Sequence, residues 1–85
     1  AQYETTLRLT REALGPDHIA VAQILLRLGD LRRRQARYDD ALATLAEAER
    51  ILTPLGAPDL GQVHIYQGAV LRELARHAEA RAAYA

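Results

Sequence analysis

Apolar residues recur at three- and four-residue steps along most of this chain. Val21, Ile24, Leu25, Leu28 and Leu31 form one such set, and Tyr38, Ala41, Leu42, Leu45, Ala48 and Leu52 form the next. Each set falls on a single helical face. The tight break Gln35-Ala36-Arg37 between them predicts an antiparallel helical pair over residues 21–52, with Gly29 and Ala41 small where the helices press closest. Upstream, Tyr3, Leu7, Thr10 and Leu14 share a face and predict a helix over residues 1–14. Downstream, Leu60, Val63, Val70, Leu71 and Leu74 predict a fourth helix from about residue 60 to 74. Ala75-Arg76 then reads as another break, with a fifth helix from near His77 still running at Ala85. At Gly15-Pro16-Asp17 and at residues 53–59, Gly can close a helix in a left-handed cap, Pro cannot continue it, and Asp17 or Asp59 can cap the next. No segment alternates with period two, so the fold class is all-α, with five helices.

The pattern also repeats. Gly29 and Gly68, Tyr38 and His77, Ala41 and Ala80, and Leu45 and Tyr84 are each 39 residues apart. Ala36-Arg37-Tyr38-Asp39-Asp40-Ala41 thereby aligns with Ala75-Arg76-His77-Ala78-Glu79-Ala80. Similar offsets join Tyr3 to Leu45 and Leu14-Gly15 to Leu55-Gly56. Periods of this length mark a solenoid of stacked helical hairpins, since one hairpin cannot bury its apolar stripe alone. No capping residue precedes the first helix and no initiator Met is present, so the expectation is a piece of a longer array. Residues 1–14 would be the second helix of a truncated repeat, residues 17–53 a complete repeat, and residues 59–85 a further repeat with its last helix truncated.

Composition narrows the function classes. Eleven arginines balance eleven acids and no lysine is present, so overall attraction to nucleic acid or an anionic membrane is not supported. The arginine cluster at residues 32–34 and Arg37 is followed at once by Asp39 and Asp40, without interleaved base-stacking aromatics. Absence of cysteine removes disulfides and thiolate metal sites, which fits the cytoplasm. No apolar run is long enough to span a membrane. Ser and Cys are both missing, and His18, His64 and His77 are too dispersed to gather a metal on one helix face. No catalytic residue, metal site or cofactor is expected.

These features resemble the tetratricopeptide repeat family over essentially the whole chain. Leu25 and Leu28-Gly29 stand where such a repeat carries a large apolar residue and a Leu-Gly pair in its first helix. Ala36, Tyr38 and Ala41 match the small residue at the turn, the aromatic and the next small residue. Leu45, Ala48 and Pro54 complete the pattern. The linker Leu14-Gly15-Pro16-Asp17-His18 and the long period are similar to the kinesin-light-chain type that many bacterial proteins share. His64 and Gln67 depart from the pattern by standing where large apolar residues are usual, which implies looser packing around the fourth helix. The resemblance implies a right-handed superhelical solenoid that binds protein or peptide partners in a concave groove lined by the first helix of each repeat.

The helical wheel identifies a face for that groove. Leu26 lies about 140° from Val21, off the buried stripe, and Ile65 follows it one repeat later. Both are candidate groove floor, or packing against a neighbouring repeat. Beside them run Gln23 with Gln62, Arg27 with Tyr66, Asp30 with Ala69, Arg33 with Arg72, and Arg34 with Glu73. Guanidinium forks match carboxylates, so Arg27, Arg33 and Arg72 point to an acidic peptide, with a solvated charged face as the alternative. The Lys and Asn with which chaperone-associated relatives clamp a terminal carboxylate are absent. So are the paired Asn that kinesin light chains often carry where Leu26 and Arg27 stand. Arg32 falls on the apolar stripe, and its head must therefore reach an acid such as Glu4, Asp39 or Asp40, or water. The expected function is a non-catalytic protein-interaction scaffold. A structural spacer or dimerisation array is the alternative, as is a ligand-sensing module attached to an enzyme or DNA-binding domain. The exposed terminal helices would also allow self-association.

Overall fold

A computed structural model describes residues 2–84, with side chains described through Arg81; Ala1, Ala85 and the side chain of Tyr84 lie outside the described residues. Four helices follow in order: α1 (Gln2–Leu14), α2 (Ile19–Arg34), α3 (Tyr38–Leu55) and α4 (Asp59–Tyr84). No strand occurs among the described residues. The chain measures 50 × 28 × 12 Å with a radius of gyration of 14.3 Å. A compact domain of this length would have a radius near 12 Å, so the helices stack in an elongated layer.

Helix α2 is the hub, touching α1, α3 and α4. Its stripe Val21, Ala22, Leu25, Leu28 and Gly29 is buried against Ala41, Leu45, Ala48, Ile51 and Leu52 of α3. A Cβ on Gly29 would stand 2.6 Å from Leu45 Cδ2 and 2.7 Å from Leu45 Cγ. Only a hydrogen at that position lets the two helices approach so closely. Val63 and Val70 of α4 join the same core. Helix α1 packs mainly on α2, with Arg11 also 3.9 Å from Glu47 of α3, and buries Leu7 alone; Tyr3 and Leu14, expected on its inner face, stay at the surface. A helix packed mainly on one neighbour has only a narrow stripe to hide.

The α2–α3 turn forms where expected. Ala36 adopts a left-handed φ of 61°, its N–H bonds Arg33 O at 3.0 Å, and Arg37 N–H bonds Arg32 O at 2.9 Å. This paired bonding satisfies carbonyls at the end of α2 as a glycine cap would. Gly15 and Gly56, both at positive φ, close α1 and α3. Two expected caps are reassigned. His18 rather than Asp17 caps α2, its Nδ1 accepting from Ala20 N–H at 3.0 Å. Asp59 is the first residue of α4 instead of its cap. Helix α3 also outlasts its apolar pattern, running through Pro54, where the missing N–H costs a single bond in a final turn.

The expected fifth helix is a correction. Ala75-Arg76 does not break the chain, and α4 continues through it as one helix of 26 residues. The same dipeptide turns at Ala36-Arg37, so local sequence does not decide the outcome. At the first site, burial of Ala41 and Leu45 against α2 offsets the cost of a left-handed alanine, about 1–2 kcal/mol. At the second, Ala80 is exposed and Gly68, counterpart of Gly29, has nothing within 4 Å of its Cβ position. Strong helix formers at residues 74–81 then keep the chain straight.

Two glycines one repeat apart are therefore expected to respond oppositely. Gly29→Ala should destabilise by about 1–3 kcal/mol, because Leu45 is fully buried and cannot yield. Gly68→Ala, in open space within a helix, should stabilise by about 0.5–1 kcal/mol. Urea unfolding of both variants checks the pair, and a loss at both positions would mean that Gly68 is also tightly packed.

Candidate functional site

Parallel placement of α2 and the first half of α4 leaves a cleft of about 430 Å³ between them. Gln23, Leu26 and Arg27 line it from α2, Gln62 and Tyr66 from α4, and Pro58 and Asp59 close one end. The spacing that brings these side chains together is helical: residues 23, 26 and 27 share one face of α2, and residues 59, 62 and 66 share one face of α4. Gln23 Nε2 donates to Asp59 Oδ2 at 3.2 Å, tying the two walls at that end. Arg27 is exposed and makes no hydrogen bond or ion pair among the described residues.

The remaining expected groove residues separate into two groups. Leu26 is partly buried and packs on the core, whereas Ile65, its counterpart, is 62% exposed and outside the cleft. Leu26 faces the next helix pair, and Ile65 occupies the same position with no described helix beyond it. Arg72 is likewise exposed, without a partner among the described residues. Asp30 and Arg33 belong to an internal clamp. Arg33 Nε and Nη2 donate to Asp30 Oδ1 at 3.1 and 2.8 Å, and Nη1 donates to Glu73 Oε1 at 2.8 Å. Arg34 Nη2 lies 3.2 Å from Asp30 Oδ2. Asp30 foremost, with Glu73, raises the Arg33 pKa further, so this guanidinium is occupied rather than open to a ligand.

Behind the clamp lies a second, shallower cleft, of about 380 Å³, lined by Tyr38, Glu73, Arg76, His77 and Ala80. The Tyr38 hydroxyl is 3.2 Å from His77 Nε2, and the rings lie 5.4 Å apart at 47°. The Tyr38 hydroxyl first, then Arg33, holds the Glu73 carboxyl below the usual carboxylate range. Burial raises the Tyr38 phenol, with Glu73 acting in the same direction. The 39-residue alignment pairs Tyr38 with His77, but alignment marks equivalent positions and does not imply contact. Straightening of α4 is what brings them together. In the sequence Pro58 reads only as part of a turn, and Asp59 as a helix cap.

The polar departures at His64 and Gln67 have a local explanation. Gln67 Nε2 donates to Glu49 Oε1 at 3.1 Å, and His64 Nε2 lies 3.3 Å from Glu49 Oε2. Gln67 foremost, then His64, lowers the Glu49 pKa. The α3–α4 contact is therefore part polar, where the α2–α3 contact is apolar. Arg32 resolves similarly. Its Nη1 donates to Thr44 Oγ1, its Nη2 is 3.6 Å from Glu4, and its Nε is buried without a partner. Glu4 is the acid it reaches.

Among the described residues, no group of His, Cys, Asp and Glu could hold a metal ion and no helix is long and apolar enough to cross a membrane. A family model described as tetratricopeptide repeat matches residues 1–53, which include α1, α2 and most of α3. No curated protein and no solved structure matches the chain.

Two predictions follow from these contacts. Arg32→Leu should be neutral or stabilising in thermal unfolding, since it removes a buried orphan Nε while Thr44 keeps its bond to Asp40 O at 2.7 Å. Loss of several kcal/mol would mean that the bond to Thr44 and the contact with Glu4 outweigh that penalty. Glu73, depressed in the folded state, contributes stability that is fully present above its ordinary value of 4.5 and lost as pH falls through the lower folded value. Urea midpoints measured between about pH 6 and pH 3 should thus fall less steeply for Glu73→Gln than for the parent chain. Equal slopes would remove the clamp from the acid response.

Proposed function

The chain belongs to the tetratricopeptide repeat family, and we propose that it is a non-catalytic scaffold that seats an acidic peptide in the α2–α4 cleft. Repeats of this family generally mediate protein–protein interaction. The observation that carries the finer reading is Arg27, an unpaired guanidinium at the edge of a cleft walled by Tyr66, Gln23 and Gln62. Its planar fork can take a carboxylate in two parallel hydrogen bonds. The glutamines offer both donors and acceptors to a peptide backbone, and Tyr66 supplies a rigid surface for a side chain. Arg33 serves this cleft indirectly, holding α4 to α2 through Glu73. Ile65 and Arg72 lie outside this binding surface, on the far face of α4.

The linker Leu14-Gly15-Pro16-Asp17-His18 supports the kinesin-light-chain-like type within the family, and with it a right-handed superhelix. Stacking along that superhelix would extend the α2–α4 cleft into a longer groove.

Binding to an array of acidic and basic peptides tests the proposal. Acidic sequences should be retained at low salt and weaken as salt rises, because the contact is partly exposed. Arg27→Glu should abolish that preference, and Tyr66→Ala should weaken binding by about 1–2 kcal/mol, with helicity unchanged in both. Retention of acidic peptides by both variants would place the binding surface elsewhere.

A further inference from the structure

The α2–α4 cleft and the Tyr38–His77 cleft lie along one seam. Gln62, Ala69 and Arg76 stand seven residues apart on α4, and each such step turns a straight helix by only about 20°. Gln62 lines the first cleft and Arg76 the second, so both open on the same side of α4. Between them Ala69 is small and half-buried. The Asp30–Arg33–Glu73 clamp beside it exposes less than a third of each of its side chains. The seam between the two clefts is therefore low.

Charge along the seam is unevenly engaged. Arg33 and Arg34 neutralise Asp30, and Arg33 with the Tyr38 hydroxyl occupies Glu73. Gln23 holds Asp59 at the closed end of the first cleft. Arg27 in the first cleft and Arg76 in the second make no hydrogen bond or ion pair among the described residues. Arg76 bears on Glu73 only through space, as the weakest of the influences on that acid. Given the α2–α4 cleft as an acidic-peptide site, we infer that its ligand is an extended peptide carrying two carboxylates four residues apart, one seated on Arg27 and the other on Arg76. Charge complementarity selects that occupant, since each guanidinium offers a planar fork that no side chain of the chain fills.

The spacing follows from the clamp. Arg33 Nη1 meets Glu73 Oε1 at 2.8 Å, so these two residues are level across the seam. Arg27 stands six residues before Arg33 on α2, and Arg76 stands three residues beyond Glu73 on α4. At about 1.5 Å per residue along parallel helices, the two arginines are about 14 Å apart along the seam. An extended peptide advances about 3.3 Å per residue, so four residues cover about 13 Å. Residues i and i+4 of such a strand also share a face, whereas i+3 and i+5 point to the other. The rings of Tyr38 and His77 wall the second subsite. Asp59, at the far end of the first cleft, disfavours a further carboxylate there. The acids of the ligand are thereby confined to the stretch between Arg27 and Arg76.

Fluorescence anisotropy of labelled peptides with the 85-residue chain at low salt tests the second subsite. The peptides share one composition and net charge, with two glutamates at i and i+3, i+4, i+5, i+7 or i+8; a single-glutamate peptide accompanies them. Equal net charge makes general attraction the same across the series, so any preference reports geometry. The i+4 peptide should bind about tenfold more tightly than the i+3, i+5 and single-glutamate peptides. Arg76→Gln should abolish that preference, whereas Arg72→Gln, on the outer side of α4, should keep it. Circular dichroism of both variants should match the parent. Equal affinity at every spacing, with single-glutamate binding still lost in Arg27→Glu, overturns the inference and leaves the α2–α4 cleft as a site for one acid. A preference that survives Arg76→Gln also overturns it. So does tightest binding at i+7 or i+8, the spacing of one face of a bound helix. Failure of every acidic peptide to bind overturns both the second subsite and the acidic-peptide reading of the cleft.

Discussion

The approach of Leu45 to Gly29 is the constraint on which the rest of the fold depends. A leucine side chain rests where a Cβ would otherwise be, with its Cδ2 2.6 Å from that position. The resulting closeness of α2 and α3 lets alanines at positions 22, 41 and 48 seal the contact with no solvent exposure. Larger side chains would force the helices apart and leave voids between them, and packing enthalpy falls steeply with such gaps. A chain without Phe, Trp or Met can build a core this way because its helices come together instead of being bridged. The turn at Ala36 exists on the same terms. A left-handed alanine is unfavourable locally, and the α2–α3 contact is what sustains it.

That dependence explains which parts of the fold were legible in the sequence. The α2–α3 pair, the Gly15 and Gly56 closures and the small residues at the contact follow from periodicity and backbone stereochemistry, which are local properties. Straightening of α4 was not legible, because Ala36-Arg37 and Ala75-Arg76 are the same dipeptide in different surroundings. A repeat alignment transfers the turn from one to the other, although the turn is maintained by a packed third helix and not by those residues. The candidate site divides along the same line. Gln23, Leu26, Arg27, Gln62 and Tyr66 converge as the wheel implies, since they depend on α2 and α4 running side by side. Ile65 and Arg72 share their helical angle but lack a neighbouring helix, so the wheel assigns them a groove wall that no described element completes.

Charge has a structural role before any binding role. Arg33 spans α2 and α4 through Asp30 and Glu73, Arg50 joins Glu47 to Asp17 at 2.9 and 3.1 Å, and Arg32 links α2 to Thr44 on α3 and Glu4 on α1. Arg32 and Arg33 link helices, and Arg50 ties α3 to the turn between α1 and α2. Their worth varies with exposure. Arg33, with its side chain 24% exposed, is held by two bonds to one oxygen of Asp30 and one to Glu73, whereas Arg50 at 53% exposed is screened by solvent and adds little. Net neutrality therefore does not mean an inert surface. With most acids already engaged, the arginines without a hydrogen bond or ion pair among the described residues become the informative ones. Of these, Arg27 falls at the α2–α4 cleft, Arg76 at the Tyr38–His77 cleft and Arg72 on the outer side of α4.

Helix α4 has two surfaces of different character. Toward α2 and α3 the helix presents Val63, Val70, Gln67 and Tyr66, an inner side completed by the chain itself. Away from them it presents Gly61, Gly68 and Ala75, with the exposed Ile65 and Leu71 beside the charged Arg72 and Glu79. In α2 the counterparts Gly29 and Arg32 are covered by α3, and Leu26 and Arg33 by α4. In α4, Gly68 and Leu71 are open because the segment that would cover them continues straight on. The two surfaces of α4 are thus a consequence of how the chain folds. Its cleft forms where two helix pairs meet, and its open face lies where one helix is left without its pair.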